Sequence, residues 1–207
     1  MKQLCTLFMA IVFLVSCKQE ARKLPYYNTA SFTPQFLNKV PAGYHQIKSF
    51  ALTTQANSIF TEKNMDGKIS VVNFFFTSCP GICPRMAINM KALQDTFIND
   101  NTIRLLSHSV MPEKDNVEAL VKYAAAKKVD SRRWFLLTGN KAEIYNLGRR
   151  YYFAEEDLGQ NRDTSEFLHT ENFVLVDKQR HLRGIYNGLN VASVNDLIKD
   201  IRELEKE

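Results

Sequence analysis

The stretch that decides the fold is ISVVNFFFTSCPGICPRM, Ile69–Met86. Its opening run, Ile69–Phe76, is β-branched and aromatic, the composition of a strand buried on both faces. Cys79 and Cys83 follow, each with a proline after it. Met86, Met90, Leu93 and Phe97 then recur at i, i+4, i+7 and i+11, which lines one face of a helix. The two cysteines therefore fall at a strand-to-helix junction, where α/β folds place their chemistry.

Cysteines at i and i+4 near a helix start can reach a common point in front of the helix, whose N-terminus favours thiolate. Pro80 and Pro84 stiffen the backbone around both sulfurs and remove two amide donors. Both sulfurs are expected to face outward. A purely structural disulfide is the weaker reading, because so short a loop carries little closure entropy to remove. A redox dithiol remains open: thioredoxin-type enzymes use Cys-x-x-Cys, one residue shorter, but geometry rather than spacing decides whether a disulfide forms. A metal clamp also remains open. Two thiolates select Cu(I) or zinc. A closed zinc site wants four protein ligands, and no two further Cys or His residues stand at finger-like spacing. A third ligand of imidazole type would suit copper. The thioethers of Met86 and Met90 are soft donors too, but their helical spacing assigns them to packing.

Outward from this stretch, strands alternate with helices. Gln46–Leu52 (QIKSFAL) alternates like a strand, and Asn64–Lys68 is a turn. Thr102–Val110 reads as a second central strand. Asp115–Lys128 reads as a helix with Asp115 as N-cap, a stripe of Val117, Leu120, Val121 and Ala124, and Lys127-Lys128 at the C-terminal dipole. A short strand at Arg133–Gly139 leads to a third helix capped by Asn140. Glu155–Phe167 is polar and aperiodic and is expected to form a mobile loop. Two strands across Lys178-Gln179 and a helix with Val194, Leu197, Ile198 and Ile201 inward close the chain. The expected fold class is α/β: a central mixed β-sheet flanked by helices, in a single domain.

The chain has 207 residues, one domain plus extensions. Its 45% hydrophobic and 24% charged content is globular. The net charge of +5 comes without a basic cluster interleaved with aromatics, which gives nucleic-acid binding little support. Lys2 precedes an apolar run, Leu4–Val15, ending at Ser16-Cys17, which is the pattern of a secretory signal. LVSC, Leu14–Cys17, resembles a bacterial lipobox. That resemblance implies a signal peptide over 1–16, lipidation of Cys17, and a domain outside the cytoplasm, lipid-anchored in the cell envelope. Residues 17–42 read as a tether, and 43–207 as the domain. Cys5 belongs to the signal, so Cys79 and Cys83 are left for the folded domain.

Of the histidines, His45 is expected to be exposed and His181 solvated in a basic hairpin, while His108 lies within a strand. His169 ends the long polar loop and opens an apolar strand, so a loop can carry it over the cysteines. Asp163 and Glu166 on that loop could orient its ring, though a solvated acidic loop is the plainer reading.

FFFTSCPGICPRM resembles the Sco/SenC family, whose members carry T-x-C-P-x-x-C-P in a thioredoxin-like fold. The resemblance runs from about Gln46 to the C-terminus. It includes SVMPEKD (Ser109–Asp115), LLTG (Leu136–Gly139) and FLHTENFVLVDKQRHLRGIYNG (Phe167–Gly188). It implies copper bound by Cys79, Cys83 and His169, and a role in assembling the dinuclear copper site of cytochrome c oxidase, with the subunit bearing that site as partner. Some family members act instead as thiol reductants or as redox or copper sensors, in which case Cys79 and Cys83 form a redox-active disulfide, a thiol reductant becomes a partner, and the metal is not obligatory. The chain is then not a conventional enzyme, except for thiol–disulfide reductase activity. A peroxidase reading is weaker. The family commonly has Asp where this chain has Met111. Met111 or His108 could add a ligand there, but a strand-end substitution is the simpler account.

Overall fold

The computed structural model describes residues 23–155, 168 and 170–207. Strands β1 (Ala51–Thr54), β2 (Ile59–Thr61), β3 (Ile69–Phe75), β4 (Ile103–Ser109), β5 (Trp134–Thr138), β6 (Asn172–Val176) and β7 (Leu182–Asn187) form one sheet, in the order β2-β1-β5-β4-β3-β6-β7. β3, β4 and β5 run parallel; the outer strands pair antiparallel. With helices α1 (Cys83–Thr96), α2 (Val117–Lys127), α3 (Lys141–Asn146) and α4 (Val191–Leu204), this is the mixed, helix-flanked sheet that the alternating pattern predicts.

β3 is the spine. Every one of its residues is buried, and it pairs with β4 along its whole length. Successive side chains point to opposite faces. Val71 and Phe75 join Met86, Met90 and Leu93 of α1, Leu120 of α2 and Leu197 and Ile201 of α4 in one core layer. Val72 and Phe74 join Ile144 and Tyr145 of α3, with Ile47, Phe50 and Met65, in the layer on the other face. Met86 and Met90 are wholly buried in the first layer, worth about 1.5–3 kcal/mol each by area removed from water.

Several local expectations change. Asn116, not Asp115, caps α2: its side chain accepts from the Ala119 amide, and Asp115 is buried elsewhere. Val121 is exposed rather than inward; Tyr123 takes a place on the packed face. Gln46–Phe50 is not strand. Ile47 is buried, but its amide bonds the Arg180 carbonyl in the β6–β7 turn, so the alternation there reports burial without sheet pairing. The β1–β2 hairpin turns through Asn57 in the left-handed region, φ 55°, and β2 is too short to read from sequence. The third helix passes from α3 into a π-helical turn, Leu147–Tyr151.

The packed body also reaches back into the segment read as tether. Leu24 is buried, Tyr26 bridges Gln35 and Tyr27 bridges Leu182. Arg183 donates to the Leu24 and Pro25 carbonyls and to the Glu207 carboxylate, with its guanidinium 4.0 Å from the Tyr26 ring centroid. Two histidines move inward with this segment. His45 lies against Phe153, ring centroids 4.4 Å apart, and bonds the Tyr151 carbonyl; His181 is nearly enclosed between Tyr26, Tyr44 and Asp177.

Candidate metal centre

β3 ends at Phe75 and α1 begins at Cys83, so the loop between them carries Cys79 across the end of the sheet. The Cys79 amide bonds the Phe76 carbonyl at 3.3 Å, and the Met86 amide bonds the Ile82 carbonyl at 3.1 Å as α1 starts. Pro84 sits in the first turn of α1, where no amide partner is needed. Both thiols are free. They are not equivalent, and the expectation that both face outward is corrected. Cys79 is partly exposed, while Cys83 is buried at 6% exposure, packed with Met86 and Phe75.

Burial pushes the Cys83 thiol up to about 12, reinforced by its hydrogen bond to Cys79. Burial also raises Cys79. The hydrogen bond from Cys83 and the backbone donors of Cys83, Gly81 and Ile82 outweigh it, so Cys79 is held below the ordinary thiol range. The loop and the helix start thus act as a nest of amides around one sulfur. The pair offers one partly exposed thiol whose ionisation the loop amides favour and one buried thiol whose proton must leave before it can bind metal.

The wall beside the pair is Tyr123 of α2, tilted on Phe75 at 5.1 Å between centroids and close enough to feel charge on both sulfurs and on Asp115. Behind the loop lies a buried carboxylate. Asp115 accepts from the Thr77 amide at 3.1 Å, the Thr77 hydroxyl at 2.6 Å and the Ser109 hydroxyl at 2.5 Å. Sequence reasoning missed this, because an Asp just before a helix carries the same signal as a cap.

His108 and Met111 are not brought to the cysteines. His108 is fully buried among Phe74, Phe50 and Tyr152 on the other face of the sheet, and Met111 packs against that same layer. The main chain at Met111 does join the Asp115 network, through its amide to the Ser109 hydroxyl.

His169, Asp163, Glu166 and Cys17 lie outside the described residues. The chain on either side of His169 is informative nonetheless. Leu168 is buried, and Thr170 accepts from the Asn172 amide as β6 begins. β6 pairs antiparallel with β3, Val72 opposite Val174 and Ser70 opposite Val176. That register brings the entry to β6 to the end of β3 from which the cysteine loop departs. The Asn172 side chain donates to the Ala154 carbonyl, so the described residues on either side of the 156–167 stretch lie together.

A central mixed sheet with a cysteine pair at the β3–α1 junction, one sulfur partly exposed and one buried, defines the class: a thioredoxin-like protein. The chain belongs to the SCO1/SenC family, whose family model matches residues 39–206. A SCO1 protein homolog of Bacillus subtilis is 28% identical over 166 residues, covering 79% of this chain and 84% of the relative. The structure of BsSco, described with a disulfide switch as a member of the Sco family of cytochrome c oxidase assembly proteins, superposes with TM-score 0.66 at 27% identity, covering 81% of this chain and 97% of that one. Arabidopsis thaliana ScoI, solved with copper bound, gives TM-score 0.59 at 27% identity, covering 77% and 98%.

Proposed function

We propose that this chain is a copper-binding assembly protein of the cell envelope, which carries copper to the dinuclear copper site of cytochrome c oxidase. Copper is cargo, held by Cys79, Cys83 and His169 and passed on by ligand exchange to the oxidase subunit that bears that site. The observation that carries the reading is the pair itself: an accessible Cys79 sulfur favoured as thiolate by loop amides, with Cys83 beside it at the head of α1. Two sulfurs and one imidazole are a soft donor set suited to copper. Relatives described with copper bound and with oxidase assembly support it. Loss of copper affinity on His169→Ala, and on joint Cys79→Ser and Cys83→Ser substitution, tests it in a titration of the reduced protein. Wild-type affinity in both variants contradicts it.

The unequal burial of the two sulfurs favours a second reading, a thiol–disulfide reductase. Cys79 would attack a partner disulfide and Cys83 resolve the mixed disulfide, with an external thiol reductant restoring the pair. Turnover on a mixed-disulfide substrate that persists with a copper chelator and in His169→Ala supports it.

The location proposed is outside the cytoplasm, with a lipid on Cys17. Because Leu24 is buried in the body, the stretch from Cys17 to Leu24 would reach at most about 25 Å when fully extended. The domain would then ride close to the membrane surface. Incorporation of labelled fatty acid, abolished by Cys17→Ser, tests the anchor.

A further inference from the structure

We propose that Asp115 is a positioning residue for the cysteine loop, acting through Thr77 to hold the Cys79/Cys83 pair in its dithiol geometry. The proposal rests on the reading of that pair as the functional site. Asp115 is fully buried, and a buried carboxylate persists only where donors compensate its lost hydration. Helix capping does not use it, since Asn116 does that work. Its oxygens instead receive three donors, and two of the three belong to Thr77, two residues before Cys79. The third is Ser109, the last residue of β4. The Asp115 amide bonds the Met111 carbonyl at 2.9 Å, so the carboxylate is mounted on a closed turn between β4 and α2.

The arrangement joins a rigid support to a loop. Thr77 is gripped at both its amide and its hydroxyl, which fixes its backbone as well as its rotamer. Hydrogen bonds to a carboxylate are short and strong for their kind. The loop leaves that grip and delivers Cys79 to the amides of Gly81, Ile82 and Cys83. Both thiols are free in this structure, so the grip is seen on the dithiol form. Releasing it removes a constraint that favours the dithiol over the disulfide.

The experiment equilibrates the full chain with glutathione buffers and reads the disulfide fraction by alkylation and mass. In that exchange the two protein thiols lose two electrons and two protons to glutathione disulfide, which leaves as two glutathione thiols. Asp115→Asn is expected to shift the equilibrium toward the disulfide by about tenfold, the scale of one hydrogen bond to a charged group. Thr77→Val shifts it the same way, and Thr77→Ser, which keeps the hydroxyl, restores the wild-type constant. If Asp115→Asn does not fold, Thr77→Val and Thr77→Ser decide. An unchanged constant in folded Thr77→Val, or equal shifts in Thr77→Val and Thr77→Ser, overturns the proposal. A melting temperature that falls while the constant stays fixed also overturns it, leaving Asp115 a structural acid only. The readout contains no metal, so failure of wild-type protein to bind copper would sink the copper reading and leave this result standing.

Discussion

His108 lies nearly parallel to Phe74, ring centroids 5.2 Å apart, and neither of its ring nitrogens has a hydrogen-bond partner among the described residues. Phe74 and His108 sit opposite each other in the parallel β3–β4 register. The imidazole has been placed in an aromatic layer, where its charged form is strongly disfavoured.

Burial pushes His108 down to about 3 from its ordinary value near 6.5. A base with a depressed folded value binds fewer protons when folded, so stability is intact above about pH 6.5 and falls as pH drops from there toward 3. The loss across the window is on the order of 4 kcal/mol. His108→Leu is expected to flatten that dependence while changing stability at pH 7.5 by less than about 1.5 kcal/mol. Denaturant unfolding at pH 7.5, 5.5 and 4.5 checks it; equal slopes in both proteins contradict it.

The two sulfurs are expected to differ in reactivity. Near neutral pH, substoichiometric iodoacetamide should label Cys79 well before Cys83, since Cys79 is held low and partly exposed while Cys83 is buried and pushed up to about 12. Peptide mass mapping reads the ratio. Preferential labelling of Cys83 in folded protein contradicts the assignment of Cys79 as the attacking thiol.

Met86 and Met90 are packing residues in this account. Met86→Leu and Met90→Leu should leave copper affinity within about twofold and cost less than about 1.5 kcal/mol, whereas either alanine substitution should cost about 2–5 kcal/mol. A folded leucine variant that loses copper would make its thioether a ligand.

Arg183 links both ends of the described chain: its guanidinium meets Asp177, Glu207 and the carbonyls of Leu24 and Pro25. Arg183→Met leaves the buried Asp177 without its cation, a loss of about 3–5 kcal/mol by analogy with broken buried pairs. It should also free the segment at Leu24–Tyr27 for proteolysis. Trypsin cleavage at Lys23 that is no faster in the variant contradicts the clasp.

What was legible in the sequence follows from which signals are local. β3 and α1 could be read because a run of apolar residues and a methionine stripe each encode their own burial. The cysteine pair could be placed because it falls between them. Asp115 could not, since its partners Thr77 and Ser109 meet only when β3 and β4 pair. His45 and His181 were misplaced for the same reason: the aromatic walls that cover them come from Phe153, Tyr26 and Tyr44, distant in sequence. The inward position of Leu24 depends on Arg183 and on the far terminus, which no local window contains. His169, the third expected ligand, lies outside the described residues, so its role stays with the resemblance and with the register that brings the start of β6 to the end of β3 next to the cysteine loop.

Cys79, Cys83 and His169 are proposed to hold copper together. X-ray absorption on the copper-loaded, reduced protein measures the ligand shell directly. Two sulfurs and one imidazole nitrogen are expected, with the imidazole contribution lost in His169→Ala and the sulfur shell kept. A wild-type spectrum with sulfur alone, or one unchanged by His169→Ala, would contradict it.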